Sequence, residues 1–178
     1  MIVIAYCTGS GHTARLAREI AAGIASEPVD QIDVEKITAQ GWARLDSADA
    51  IVFGAPTYMG SVAAAFKSFM DESSDRWSDQ NWRDKLAAGF TVATYASGDK
   101  LVSLSQLSVF AAQHAMVWVG QAEIGPKGSD LSAVNWQGSW LGLMATSSRD
   151  KSVLIDEGDL ATARQFGARI ESAVRRWR

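Results

Sequence analysis

An apolar run, Ile2-Val3-Ile4-Ala5-Tyr6, leads into Thr8-Gly9-Ser10-Gly11-His12-Thr13 and then into a helical pattern carrying Leu16, Ile20 and Ile24. Strand, tight turn and helix in that order build an anion site. The first amides of a helix have no intrahelical acceptor and sit at the positive end of its dipole. Glycine lets the backbone wrap closely around a phosphate, and Thr8, Ser10 and Thr13 can donate hydroxyl hydrogen bonds to its oxygens. The turn holds no lysine or arginine, so it suits a phosphate held by uncharged donors.

Strand-like and helix-like segments alternate along the rest of the chain, which predicts an α/β sheet of right-handed crossover units. Residues 1–6 read as a strand, 13–26 as a helix, Gln31 to Ile37 as a second strand and Ala50 to Gly54 as a third. A helix is expected over 62–72, a fourth strand from Leu86 to Thr94, a helix over 101–114 and a fifth strand from Met116 to Gly120. Near-continuous apolar strands of this kind suit a parallel sheet covered on both faces. The clearest periodicity is C-terminal: Leu160, Ala163, Phe166, Ile170, Val174 and Trp177 recur at helical spacing, with Asp156 placed to cap and Ile155 to staple against Leu160. Residues 73–85, with Trp77 and Trp82, and 121–150, with Trp136 and Trp140, read as long loops, which in compact domains are usually functional.

At 178 residues the chain fits a single domain, residues 1–178, large enough to bury its own core. A net charge of −3 gives no electrostatic footprint for nucleic acid or an anionic membrane, and no apolar run is long enough to span a bilayer. One cysteine, Cys7, precludes an internal disulfide and fits a reducing compartment. With no signal-peptide pattern at the start, a cytoplasmic protein is expected. Cys7 reads as a small core residue.

Three phosphate ligands compete for the first turn. A nucleoside-triphosphate loop needs a lysine after its last glycine, where this chain has His12 and Thr13. Gly9-Ser10-Gly11-His12-Thr13-Ala14 does satisfy the dinucleotide fingerprint, with Glu35 near the place of its ribose-binding acid, yet no residues remain for a substrate domain. The third ligand is FMN, which in an open α/β sheet would lie beyond the carboxyl ends of the strands, where several loops converge. The chain has three such loops: 8–13, 56–61 and 94–98.

These motifs, TGSGHT at 8–13, GAPTYMGS at 54–61 and KLAAGFTVATYASG at 85–98, resemble the flavodoxin-like family. Within it they are similar to the WrbA-type NAD(P)H:quinone oxidoreductases and the related NADPH-dependent FMN reductases. The resemblance implies a three-layer sandwich with a five-stranded parallel sheet in the order 2-1-3-4-5. It implies that Thr8, Ser10, Gly11, His12 and Thr13 bind the FMN phosphate and that Pro56, Thr57, Tyr58, Met59 and Gly60 follow the edge of the ring. Ala93, Thr94, Tyr95, Ala96 and Ser97 would border the ribityl chain and pyrimidine, bulkier there than the family's glycine-rich loop. Trp77 matches a substrate-site tryptophan of the family, Gln113 stands where a flavin-contacting histidine would, and Trp136 is placed near the mouth of the site.

The implied reaction passes electrons from NAD(P)H through FMN to a quinone or similar flat acceptor, with no catalytic side chain and no metal. The alternative is a flavodoxin-type electron carrier. Family members form dimers or tetramers, for which Phe66, Phe69 and the tryptophans of 77–82 could supply an apolar interface.

Overall fold

The computed structural model describes residues 1–128, 130–148, 150 and 152–178, so Ser129 and Arg149 of the expected 121–150 loop, and Lys151 just after it, lie outside the described residues. Strand β1 (Ile2–Tyr6) pairs in parallel with β2 (Val29–Asp33) on one side and β3 (Ala50–Tyr58) on the other, and β3 pairs with β5 (Leu86–Ala93). The expected strand order holds, but its fifth position is shared. β6 (Val117–Trp118) pairs with the start of β5, and β7 (Leu143–Thr146) with its end.

Between the two pieces the chain makes an excursion over 119–142. Its neck is closed by Gln121 N donating to Trp140 O at 3.0 Å and Trp118 Nε1 donating to Leu141 O at 2.7 Å. A Cβ on Gly120 would stand 2.6 Å from the Trp140 carbonyl, so the neck closes on a glycine. The strand expected over Met116–Gly120 is shorter, Val117–Trp118, with Val119 N adding one more bond to Ala87 O at 2.7 Å. The excursion is held to α6 (Glu157–Trp177) by Asn135, whose amide donates to Thr162 Oγ1 and whose side chain bonds Glu123 O and Ser139 N.

Alternate residues of the strands feed two cores. Ile2, Ile4, Val52 and Phe90 face α1 (His12–Ala22) and α6, where Leu16, Ile20, Phe166 and Ile170 are buried. Val3, Ala5, Ile51 and Phe53 face α3 (Ala64–Glu72) and α5 (Lys100–Gln113). On that side Phe66, Phe69 and Trp82 are at most 1% exposed, and Trp82 donates to Asp46 Oδ1 at 2.8 Å. These three side chains are interior to this chain and cannot supply the oligomer contact anticipated for them. Trp42 stacks on Phe69 with ring centroids 5.0 Å apart. It comes from α2 (Ala39–Ser47), a helix the periodicity does not reveal because it buries only Gly41 and Leu45.

Local chemistry moves other boundaries. The expected strand over Gln31–Ile37 becomes Val29–Asp33 followed by a 3₁₀ turn that Asp33 caps through the Glu35 amide. Ser61, expected at the end of a loop, and Val62, expected as helix, form the short strand β4 against β3. Residues 74–78 of the expected 73–85 loop form a one-turn helix, α4 (Ser74–Ser78). Asp156 occupies the N-cap of α6 but makes no side-chain cap bond, while Ile155 and Leu160 both join the core.

Helix α1 ends at Ala22, earlier than expected, and its C-cap Gly23 lies directly against α6. A Cβ there would fall 1.9 Å from Arg164 O. The next three amides, Ala25, Ser26 and Glu27, donate to the buried carboxylate of Glu171 at 3.2, 2.6 and 2.9 Å. Burial raises the Glu171 pKa, but these amides and Arg175 outweigh it and bring the value to about 2. Among the described residues no helix is long and apolar enough to cross a membrane.

The backbone contact between α1 and α6 is testable at Gly167, where a Cβ would meet Ile20 O at 2.0 Å. Alanine gains up to about 1 kcal/mol in helix propensity, but driving the helices apart costs about 1–3 kcal/mol. Gly167→Ala should therefore lower the urea midpoint at an unchanged m-value, whereas an equal or higher midpoint contradicts this packing.

Candidate functional site

Tyr6 lies beside Gly54, and Gly54 beside Phe90, so the ends of β1, β3 and β5 open on one edge of the sheet. Their loops meet in a pocket of about 200 Å3 lined by Gly9, Ser10, His12 and Thr13 from the first loop, Pro56, Thr57 and Tyr58 from the second, and Val92, Ala93 and Thr94 from the third. Ser147, just beyond β7, also lines it. Sequence reasoning missed Ser147, because the serine- and glycine-rich stretch around it carries no strand signal longer than the four residues of β7.

The first loop carries the electrostatics. Gly11 caps α1 at φ 92°, a left-handed conformation open to glycine, and no side chain caps the helix there. No acidic residue occupies the first turn of α1, so its dipole is uncompensated on the pocket side. Thr8 Oγ1 accepts weakly from Ala14 N at 3.4 Å, which leaves its own proton to donate. Thr13 is buried within the pocket wall. The donors are amides and hydroxyls, the set that a dianionic phosphate monoester needs where no cationic side chain is present in the turn.

The second loop is a β-hairpin. Thr57 pairs with Val62 and Tyr58 with Ser61, leaving Met59 at φ 50° and Gly60 at φ 79° as a two-residue turn. Met59 is fully exposed at its tip, and the Tyr58 hydroxyl closes over Gly9, 2.2 Å from where a Cβ would be. Gln106 of α5 steadies the hairpin by accepting from Ser61 Oγ and Val62 N at 3.0 and 3.1 Å.

Beneath the hairpin runs a buried hydroxyl chain whose direction is fixed by proton count. Thr91 donates to Ala55 O at 2.7 Å. Its 2.8 Å contact with Thr57 Oγ1 must then be a bond it accepts, and the 2.8 Å contact between Ser103 and Thr57 one that Ser103 donates. The Thr57 hydroxyl is thus committed inward, and only the backbone of this residue is free to face a ligand.

Behind the third loop lies a charged network. Lys100, fully buried at the start of α5, donates its three protons to Gln137 Oε1, Ala145 O and Thr146 Oγ1, the last two at 3.1 and 3.0 Å. Asp159, also buried, accepts from Thr146 N at 2.8 Å and from Gln137 Nε2 at 3.2 Å. Burial lowers the Lys100 pKa to about 8, against the pull of Asp159, and raises that of Asp159. The network ties the third loop to the excursion and to the strand end carrying Ser147.

The remaining predicted residues are placed elsewhere. Tyr95, Ala96 and Ser97 are exposed, and the last two line a separate groove beside α5. Trp77 and Gln113 meet in a pocket of about 340 Å3 between α3 and α5, none of whose lining residues lines the pocket at the first loop. His114 sits in the same place, its ring tilted at 33° against Trp82 with centroids 4.3 Å apart. Ser73 Oγ gives its proton to Met70 O, so His114 Nε2 must donate to Ser73, and burial holds the ring neutral with a pKa near 4. Trp136 is half-buried in the excursion, where its side chain acts to lower the Asp159 pKa against the larger effect of burial. Cys7 is buried, its thiol pushed up to about 12 by burial and by Glu35, so it is no nucleophile.

Residues 10–127 match the family described as NADPH-dependent FMN reductase. The chain is 38% identical to Flavodoxin FldP of Pseudomonas aeruginosa, over 94% of this chain and 93% of that protein. It is 29% identical to Quinone-oxidoreductase QR2 of Triphysaria versicolor, over 66% and 67%. Among solved structures, a flavodoxin, WrbA-like protein from Agrobacterium tumefaciens superposes with a TM-score of 0.79 at 38% identity, covering 99% of this chain and 98% of the other.

If the turn at Gly11 cradles a phosphate, Gly11→Ala should cost about 1 kcal/mol of stability through its positive φ and weaken FMN binding by roughly tenfold. Calorimetric titration of the apoprotein with FMN checks this. An unchanged affinity would mean that the turn is merely structural.

Proposed function

The chain belongs to the NADPH-dependent FMN reductase family, and from that premise we propose that it is an oxidoreductase moving electrons from NAD(P)H through FMN to a quinone or similar flat acceptor. The overall reaction takes NAD(P)H, one proton and the quinone to NAD(P)⁺ and the hydroquinone. Bound FMN would supply the two-electron redox chemistry that links the nicotinamide and the acceptor. The observation that carries the reading is the convergence of three strand-end loops on the uncompensated N-terminus of α1.

In this reading Thr8, Ser10, Gly11, His12 and Thr13 hold the phosphate through amides and hydroxyls. The Pro56–Gly60 backbone follows the ring edge, and Ala93 and Thr94 border the ribityl chain and pyrimidine, whereas Tyr95 is exposed and Ala96 and Ser97 line the groove beside α5. The protein's share of the work is to orient the ring, exclude water and tune the flavin potential through backbone donors. No side-chain acid or base is required. Trp77 and Gln113 line a different pocket, so within one chain they take no part in this site, and they would meet a flavin only if a homodimer or homotetramer brought a neighbouring copy to it.

A second reading, an electron carrier without turnover of its own, is favoured by the similarity to a protein named flavodoxin. Against it stands a net charge of only −3, a weak field for steering charged redox partners. The two are separated by following NADPH oxidation with benzoquinone. The enzyme reading expects a rate exceeding that of free FMN by about a hundredfold or more. A rate equal to that of free FMN supports the carrier.

A further inference from the structure

Beside the third loop lies a groove of about 970 Å3, far larger than the pocket at the first loop. We propose that it binds the hydrocarbon tail of the electron acceptor, so that the acceptors this chain prefers are quinones carrying an apolar side chain. The inference rests on the quinone reading above and extends it from the ring to the rest of the molecule.

Two observations define the occupant. The first is chemical. Leu101 and Val102 of α5 and Trp140, Leu141 and Met144 from the excursion and β7 make the walls apolar, and Leu101, Val102 and Trp140 are 59%, 45% and 54% exposed. The polar side chains of the floor spend their protons within the protein. All three protons of Lys100 are used within the protein, Gln137 bridges Lys100 and Asp159, and the Ser139 hydroxyl donates to Gly142 O at 2.7 Å. Such a groove offers mainly apolar surface, worth roughly 0.8 kcal/mol per buried methylene. Apart from Lys100, the one charged lining residue among those described is Asp99, which repels an anion. The phosphates of a nicotinamide nucleotide and the carboxylate of a fatty acid are therefore poor occupants.

The second observation is position. Ala93 and Thr94 line the pocket at the first loop, Ala96 and Ser97 line the groove, and Tyr95 alone separates them. A ring held near the third loop can send a chain across Tyr95 into the groove without leaving the protein surface. The excursion interrupting the fifth strand supplies one wall, through Trp140 and Leu141, and the Lys100–Gln137–Asp159 network fixes that wall to the loop.

The test uses the oxidised, FMN-loaded protein and two quinones with the same dimethoxy-methyl ring, one without a side chain and one carrying a decyl chain. Calorimetry should show the decyl quinone binding at least about tenfold tighter, and Leu101→Gln or Trp140→Ala should each erase most of that advantage while leaving the tailless quinone unchanged. Equal affinities for the two quinones, or an advantage that survives both substitutions, would overturn the proposal. So would a dimer that Leu101→Gln dissociates, because a second copy would then cover the groove. NADPH-driven turnover of both quinones is measured in parallel. If neither is reduced faster than by free FMN, the quinone-reductase reading fails, and the binding data still decide whether the groove takes the tail.

Discussion

Parallel pairing of β1, β3 and β5 in register, with Ala5 beside Phe53 and Phe53 beside Gly89, determines where three loops of unrelated sequence come together. In a parallel sheet every strand ends on the same edge, so a helix entered there points its N-terminus at whatever lies beyond that edge. The register depends on close contacts that allow no side chain. A Cβ on Gly54 would stand 2.0 Å from the Phe90 ring, and one on Gly89 would stand 2.6 Å from the Trp118 ring. Shift one strand and the hydroxyl chain from Ser103 through Thr57 to Thr91 is broken together with the pocket above it.

The parts of the site that could be read from the residues are those whose chemistry is local. Glycine beside hydroxyl residues between a strand and a helix announces an anion turn, because positive φ and exposed amides are needed within six residues. The hairpin was legible as a loop but not as a hairpin: Met59 at positive φ is an unusual choice for such a turn, and nothing nearby forecasts β4. Contacts between distant positions were hidden. Thr57 meets Ser103 across 46 residues, and Lys100 meets Thr146 across the same span. Helical periodicity shows that α3 has an apolar face but not what covers it. Trp42 from the unforeseen α2 and the buried Trp82 do so, which removes Phe66 and Phe69 from any surface.

The excursion over 119–142 shows how a parallel sheet absorbs an insertion without losing a strand. Its two ends are pinned by the bond from Gln121 N to Trp140 O, its middle is docked on α6 through Asn135, and β7 resumes in parallel with β5. The cost is a buried ammonium and carboxylate, Lys100 and Asp159, which stay compatible with a dry interior only because Gln137 and backbone groups satisfy them. In return the fold gains a half-exposed tryptophan and Ser147 on either side of the third loop, neither of which a shorter connection would supply.

A phosphate held by the amides and hydroxyls at the start of α1 is the claim on which the cofactor, the reaction and the tail groove all rest. Comparing FMN with riboflavin by calorimetry on the apoprotein isolates it, since the two share the ring and ribityl chain and differ only in the phosphate. Binding at least about a hundredfold tighter for FMN, some 2.7 kcal/mol, is the expected result. Equal affinities would show that the turn contributes nothing to recognition and would contradict the account.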